Sequence, residues 1–547
     1  MNLILLPIVL PMLGAVLCLL GRNNLGFQRL VAGLTTHATL AGSIYLLSQL
    51  LENGTQAVRV GDWPLTFGIV FVADVFAALM VMFGSLVHTA TFWFMVASGT
   101  PDDEERTFLH PLFLLLGAGV NWAFLTGDLF NLFVSFEIML LCSYCLLVHG
   151  GRVPQLREGF KFIVLNLIAS TMFLCAAALV YGYYGTLNMA DLAVRLSQNP
   201  NHTGALLLGT MLLFVFASKA AVFPLYFWLP DAYPKAPVAI LPYFGGILTK
   251  VGVYCLYRTF TLMFTDPQQW AEWFSPVLLA IGAATMFLGV MGAVGQWTVR
   301  RILSVHIISQ IGYMIFALGL MTPLAIAAGI FYVVHNMVVK SALLMIGGLI
   351  HQEKGTDGLK YVHGLLRERP SIAFLFALAA FSLAGIPPLS GFFGKFALVV
   401  EGFKEGYWFY VTVSIVTGMF TLFSMTKIWS YVFWGEPHCD PHPHADDPQP
   451  LNYRPKPRLV AATSILVLFS LVLGLGSGYF FHLSERAAQG ALNQSSYVQA
   501  VLGDRGVAAL ITAERALNAP SGFAPTEHEH DHDHDHSHSE EGEHHDH

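Results

Sequence analysis

The chain has 547 residues, 55% of them hydrophobic and only 12% charged, a balance that excludes a soluble globular domain and marks an integral membrane protein. Its net charge of −7 is concentrated at one end: residues 527–547 hold nine of the 35 acidic side chains and no basic one, so the remainder carries 28 − 26 = +2. No basic patch suggests nucleic acid, and no cluster or haem motif suggests a cofactor.

Apolar stretches of about 18 residues or more can cross a hydrocarbon core of about 30 Å as helices. Fourteen occur, at 2–20, 27–51, 69–98, 108–125, 128–149, 160–184, 205–229, 238–262, 274–294, 300–320, 322–350, 371–402, 407–434 and 458–483. The expected fold is therefore an all-α polytopic membrane protein with about fourteen transmembrane helices. The first stretch lacks a basic flank and a small-residue cleavage site, so it reads as a retained helix rather than a signal peptide. Most of the six cysteines lie in apolar spans and read as packing residues.

Alternate loops differ in basic content. With the N-terminus outside, inside loops carry fifteen Lys and Arg residues, from Arg22 to Arg458, and outside segments carry seven. Under the positive-inside rule this places both termini outside.

Along the chain, the fifth span, "DLFNLFVSFEIMLLCSY" (128–144), carries Glu137 about 13 Å from its start at 1.5 Å per residue. The seventh, "MLLFVFASKAAVFPLYFWLP" (211–230), carries Lys219 near its middle and Pro224 five residues later. Lys161, Lys250, Lys340, Lys395 and Lys427 also fall within spans. A lysine at mid-bilayer costs roughly 2.5–3.5 kcal/mol on insertion scales, and such residues mark ion or proton paths. Snorkelling to the headgroups suits Lys161 and Lys427, close to span ends, but not Lys219 or Lys395. Either charge of a buried Glu and Lys is disfavoured alone and favoured as a pair, so Glu137 and Lys219 read as a pair that takes and releases a proton. His306 and His335 read equally as relay groups or as packing hydrogen bonders.

The lysines recur. Lys340 follows Lys161 by 179 residues, Lys395 follows Lys219 by 176 and Lys427 follows Lys250 by 177. An offset of five spans inverts the second copy, a recurring plan of transporters whose sites sit at interrupted helices. The candidate interruptions are Pro224 and "GIPPLSGFFGKF" (385–396). The expected organisation is three helices in 1–107, a first five-helix repeat in 108–262, a second, inverted repeat in 274–434, an inside loop at 435–457, a last helix at 458–483 and an outside extension at 484–547. No carboxylate stands near position 314, where the same offset would repeat Glu137. The extension is polar, and its end should be a disordered tail. The tail's nine histidines, and "HCDPHPHADDP" (438–448), are either solvated polar segments or loose chelators of transition metals.

The stretches "NLFVSFEIMLLCSY", "SKAAVFPLYFWLPDAYPKAPVAI", "SQIGYM", "HNMVVKSALLM" and "SLAGIPPLSGFFGKF" resemble the antiporter-like subunits shared by respiratory complex I, membrane-bound hydrogenases and Mrp-type sodium/proton antiporters, most of all the D-type subunits of the last. The resemblance covers residues 1 to about 485. It implies a proton-translocating subunit of a bacterial inner-membrane Na+/H+ antiporter complex, a secondary transporter rather than an enzyme. Its partners would be sister subunits, H+, Na+ and the lipid bilayer, without cofactor or resident metal. It also implies a proton relay in which Glu137 and Lys219 are the mid-membrane ion pair, Lys250 a connecting lysine, His335 and Lys340 the helix leading to the second half, and Lys395 the terminal titratable residue. The alternative is a proton-pumping subunit of a complex I-like or hydrogenase electron-transfer complex.

Overall fold

The computed structural model describes residues 3–61, 63–64, 68–98, 108–198, 202–434 and 457–517, and almost all of them are helical. The N-terminal part holds α1 (Leu6–Leu20), α2 (Leu25–Asn53) and α3 (Val75–Ser98). Between α2 and α3, β1 (Gln56–Arg59) and β2 (Val70–Ala73) form an antiparallel hairpin in which Gln56 pairs with Ala73 and Arg59 with Val70. The expected third span thus begins as a strand and becomes helix only at Val75, where the Asp74 side chain accepts from the Ala77 N–H at 2.8 Å and caps the new helix.

The middle of the chain runs through α4 (Leu109–Leu125), α5 (Leu129–Leu147), α6 (Val153–Tyr184), α7 (Met189–Gln198), α8 (His202–Ala220) and α9 (Thr249–Arg258). Then follow α10 (Ser275–Val294), α11 (Val299–Leu320), α12 (Pro323–Lys354), α13 (Pro370–Ala384), α14 (Ser390–Lys404) and α15 (Trp408–Ile428). The last helices are α16 (Pro457–Leu475), α17 (Ser477–Leu492), α18 (Gln494–Leu502) and α19 (Asp504–Leu517).

Among the described residues, eleven helices are long and apolar enough to cross a membrane. The other three expected spans are short or interrupted. Leu109–Leu125 has 17 residues. The 238–262 stretch is helical only in pieces, with π-helical turns at Phe244–Leu248 and Thr259–Met263 on either side of α9. The 371–402 stretch is cut between α13 and α14 at "GIPPL", where Gly385 takes φ 92° and Pro387 and Pro388 deny the backbone two donors.

The apolar windows of α11 and α12 are wholly buried, against 33% for α2 and α15 and 39% for α6. These two helices are therefore the hub, and the others lie around them with outer faces bearing residues such as Leu167, Ile168, Phe409 and Met419, all more than half exposed. In a membrane protein such a rim faces lipid.

Residues beyond 483 depart from the expected polar extension. α18 buries Tyr497, Val498 and Val501, and α19 buries Leu510, so helical spacing gives this segment an apolar face that its overall polarity conceals. Arg486 Nη2 donates to the Leu51 carbonyl at 2.7 Å, Arg59 Nη2 to Val501 at 2.6 Å, and Gln494 Nε2 to Leu262 at 3.1 Å, which ties the segment to the body. The expected inside loop and the histidine-rich tail lie outside the described residues.

Beneath α18, Arg258 meets Asp74 in a two-pronged ion pair at 2.8 and 2.9 Å. Both side chains are about 95% buried, and the guanidinium lies 5.1 Å from the Tyr497 ring centroid. In the sequence Arg258 stands near the end of the 238–262 stretch and counts among the seven basic residues of the outside side, with no sign of its partner Asp74. Arg258→Ala would leave a buried carboxylate without its partner, a change expected to cost about 3–5 kcal/mol. Thermal unfolding of the purified protein in detergent should show the loss, with most of it recovered when Asp74→Ala is added.

Candidate functional site

Lys219, Lys250, His335 and Lys340, all buried, and the part-buried Lys395 lie on helices that meet the α11–α12 hub or on the hub itself. In the first half, α8 stops at Ala220 because Ala221 adopts φ 60°, a left-handed conformation that a helix cannot continue through. The chain then runs irregularly to Leu229. The backbone groups released at this break are satisfied within the protein: Val222 N–H donates to Ala217 at 3.0 Å, Phe223 N–H to Thr285 Oγ1 at 3.0 Å, and Trp228 Nε1 to the Ser218 carbonyl at 3.1 Å. Pro224 alone predicts a freed carbonyl at Ala220; the helix in fact breaks earlier.

Lys219 is the penultimate residue of α8 and 4% exposed. Its Nζ donates at 3.0 Å to the Asn166 carbonyl and at 3.0 Å to Ser170 Oγ, both on α6. It also lies 5.9 Å from the ring centroid of Phe136, the neighbour of Glu137 on α5. The expected Glu137–Lys219 contact is not made. Neutral acceptors hold the lysine, and Glu137 Oε1 is buried with no hydrogen-bond partner among the described residues.

Lys250 is buried on α9 and donates to the Gly245 carbonyl at 2.8 Å, in the π-helical turn just before it. The same turn region is stitched to α12, since Ser341 Oγ donates to the Pro242 carbonyl at 2.9 Å. Lys340, the residue before Ser341, is fully buried, and its Nζ has no partner among the described residues. One helical turn and a little more towards the N-terminus, His335 Nδ1 lies 2.8 Å from Ser390 Oγ, which in turn lies 3.0 Å from Ser382 Oγ.

Lys395 occupies the second break. Its Nζ donates to the carbonyls of Leu383 at 3.1 Å and Ala384 at 3.0 Å, the free end of α13, and sits 4.9 Å from the Tyr313 ring centroid. The structure therefore gathers His335 and Lys395 at one interruption and Lys250 and Lys340 at another, while Glu137 and Lys219 make no direct ion pair. Lys161 pairs with Glu158 at 2.9 Å on a half-exposed face. Lys427 caps α10, donating to the carbonyls of Val294 at 2.9 Å and Gln296 at 2.8 Å.

Asn166, Ser170, Ser382 and Ser390 escape a reading of the sequence. The available signal is a polar residue within an otherwise apolar helix: Asn166 and Ser170 stand four apart on one face of α6. Tyr332 OH donates to Gln310 Oε1, joining α12 to α11 above the same site. No group of three or more His, Cys, Asp or Glu side chains suited to a metal ion is found among the described residues.

A family described as NADH:quinone oxidoreductase/Mrp antiporter, transmembrane region, matches residues 126–421. The D-type subunit of a Na(+)/H(+) antiporter from Alkalihalophilus pseudofirmus is 42% identical over 503 residues, covering 92% of this chain and 99% of the relative. Its counterpart of the same name from Bacillus subtilis is 36% identical over 502 residues, with the same coverage of 92% and 99%. Among solved structures, a chain of the Mrp complex from Dietzia sp. DQ12-45-1b matches with TM-score 0.84 at 35% identity, over 91% of this chain and 99% of that one.

The site tolerates little added volume. A Cβ on Gly252 of α9 would stand 2.6 Å from the backbone nitrogen of Ala220 and 2.9 Å from the carbonyl carbon of Lys219. Gly252→Ala should push α9 off the end of α8 and destabilise the fold by about 1–3 kcal/mol. A drop in the detergent melting temperature checks this, and an unchanged melting temperature would count against the packing described.

Proposed function

The chain belongs to the NADH:quinone oxidoreductase/Mrp antiporter family, and on that premise we propose that it is the D-type, proton-translocating subunit of a multisubunit Na+/H+ antiporter. The observation that carries this reading is the set of four lysines, Lys219, Lys250, Lys340 and Lys395, whose amines are held by neutral acceptors or by none, deep among apolar helices. A neutral amine keeps two hydrogens and a lone pair, whereas an ammonium carries three hydrogens. Asn166 and Ser170 satisfy two hydrogens of Lys219, so a third proton calls for a third acceptor. Glu137, with a free carboxylate oxygen one residue from the Phe136 ring that Lys219 faces, is the group that supplies it.

In this reading protons pass from Glu137 and Lys219 through Lys250 to Lys340 and His335, and leave the relay at Lys395. It is a transporter component rather than an enzyme, working with sister subunits in a bacterial inner membrane. The relatives' printed names favour antiport over the electron-transfer alternative. Fourteen crossings follow if the short α4, the interrupted 241–263 segment and the α13–α14 pair each traverse the bilayer beside the eleven long helices. Both termini would then share the outer side, in keeping with the excess of Lys and Arg in alternate loops.

Two inverted repeats, 108–262 and 274–434, are supported by a matching detail. Isolated bridges pair Asp128 with Asn188 and Thr298 with Gly358. The differences 298 − 128 and 358 − 188 both equal 170, and Asp128 and Thr298 each stand one residue before a helix, α5 and α11.

Glu137→Gln should keep the helix and the complex yet abolish most cation/proton exchange, because it removes the charge that stabilises protonated Lys219. Glu137→Asp retracts the carboxylate by one methylene and should retain part of the activity with a displaced pH profile. Lys219→Ala should silence exchange at normal complex levels. Everted vesicles assayed for antiport against pH, with complex abundance measured in parallel, test all three; undiminished antiport in the Gln variant would defeat the relay.

A further inference from the structure

Away from the relay, two cations meet where α10 and α15 end. Lys427 Nζ lies 3.9 Å from the ring centroid of Trp297, and Lys360 Nζ lies 5.7 Å from the same centroid. Both ammonium groups thus address one indole. The backbone fixes this arrangement: the Trp297 carbonyl accepts from the Leu359 N–H at 2.9 Å, one residue before Lys360, while Lys427 holds the carbonyls of Val294 and Gln296. Those two bonds leave Lys427 one hydrogen free, and the exposed Lys360 makes no hydrogen bond among the described residues. Neither amine meets a carboxylate among them. Two like charges gathered at one ring repel each other and favour an anion beside them.

The ring is itself exposed, as are Tyr431, which stands edge-on to it at 5.8 Å, and Trp434. Exposed tryptophan and tyrosine mark the headgroup level of a bilayer, and the excess of Lys and Arg in these loops makes it the inner leaflet. From the cluster an apolar ridge runs along α15 towards the membrane centre. Phe423, Met419 and Ile415 precede Lys427 at successive steps of four residues, and all three are exposed. At 1.5 Å per residue the ridge from Lys427 to Ile415 is about 18 Å long. Half of a hydrocarbon core of about 30 Å is nearly the same length. A cationic, aromatic head and an apolar ridge one leaflet deep are thus continuous on one surface.

We propose that Lys360, Lys427 and Trp297 form a binding site for one anionic phospholipid, its phosphodiester on the two amines and an acyl chain along Phe423, Met419 and Ile415. The leaflet follows the orientation given above, but the site makes no use of the proton relay and stands or falls apart from it. A zwitterionic headgroup brings its own ammonium, which two lysines repel; a headgroup of net negative charge does not. The rival occupant is the acidic segment after Trp434, which holds Glu436, Asp440, Asp446 and Asp447. Its carboxylates would neutralise the amines and leave the ridge uncovered, whereas one phospholipid satisfies both.

The test uses the assembled complex in phosphatidylcholine vesicles that carry a trace of phosphatidylglycerol or phosphatidylcholine with a photoactivatable acyl chain. Labelled peptides are located by mass spectrometry. The phosphatidylglycerol probe should label the Ile415–Phe423 ridge several-fold more than the phosphatidylcholine probe. Lys360→Gln should lower that labelling about fivefold, the worth of one lysine at an anionic headgroup, and Lys360→Arg should keep it. Arg157→Gln removes an exposed inner charge elsewhere and should change nothing on the ridge. Excess inorganic phosphate should not compete. Equal labelling by the two probes overturns the proposal, as does undiminished labelling in Lys360→Gln. An equal loss in Arg157→Gln would reduce it to diffuse attraction, and displacement by phosphate would make the site one for a soluble anion; either result defeats it. A ridge left unlabelled by both probes belongs to the acidic segment or to a sister subunit, which defeats it too.

Discussion

At the end of α13 the carbonyls of Leu383 and Ala384 have no further turn of helix to bond, and the donor they receive is the Nζ of Lys395. In hydrocarbon an unsatisfied carbonyl costs several kcal/mol, and so does a buried lysine. Each cancels part of the other's penalty. Much of the architecture answers the same demand. Lys250 serves the carbonyl of a π-helical turn, Lys427 serves the end of α10, and the break after α8 is closed by Thr285 and Trp228. Helix interruptions and buried amines thus occur together because each lets the other exist at depth.

The same pairing makes these lysines suited to proton transfer. A carbonyl or hydroxyl can accept from a neutral amine as well as from an ammonium, though more strongly from the charged donor, so the amine can lose its charge without losing its place. A carboxylate partner held in permanent contact would instead hold a lysine charged; the guanidinium of Arg258, which is charged in any case, has such a partner in Asp74. The molecule contains both arrangements: a closed ion pair under α18, where charge is structural, and open or neutrally bound amines along the hub.

Much of this was legible in the sequence. Apolar stretches located the eleven long helices because hydrocarbon thickness sets a length that few other segments satisfy, and lysines inside those stretches stood out through their cost. The "GIPPL" break was visible in its glycine and prolines. Other features were hidden for physical reasons. Ala221 takes a left-handed conformation with no glycine to announce it, so α8 ends before its proline. Asp74 and Arg258 look like unrelated charges near span ends until tertiary packing buries them together. Tyr497, Val498 and Val501 are too few and too interspersed with polar residues to raise local hydropathy, yet on a helix they form one face. Ser170 and Ser390 are too ordinary to notice; only the side chains opposite them, Lys219 and His335, give them meaning.

The Asp74–Arg258 pair spans 184 residues of chain, and its aromatic cover, Tyr497, belongs to one of the last helices described. A ribosome delivers these parts in order. Asp74, at the head of α3, enters the membrane long before Arg258 exists, and the ion pair stays uncovered until the C-terminal helices fold back over β1 and the end of α2. Nascent α3 must therefore hold its acid at the water interface until the span that carries Arg258 is made, and the finished packing of the N-terminal helices becomes a late event in biosynthesis, dependent on helices that follow the membrane spans.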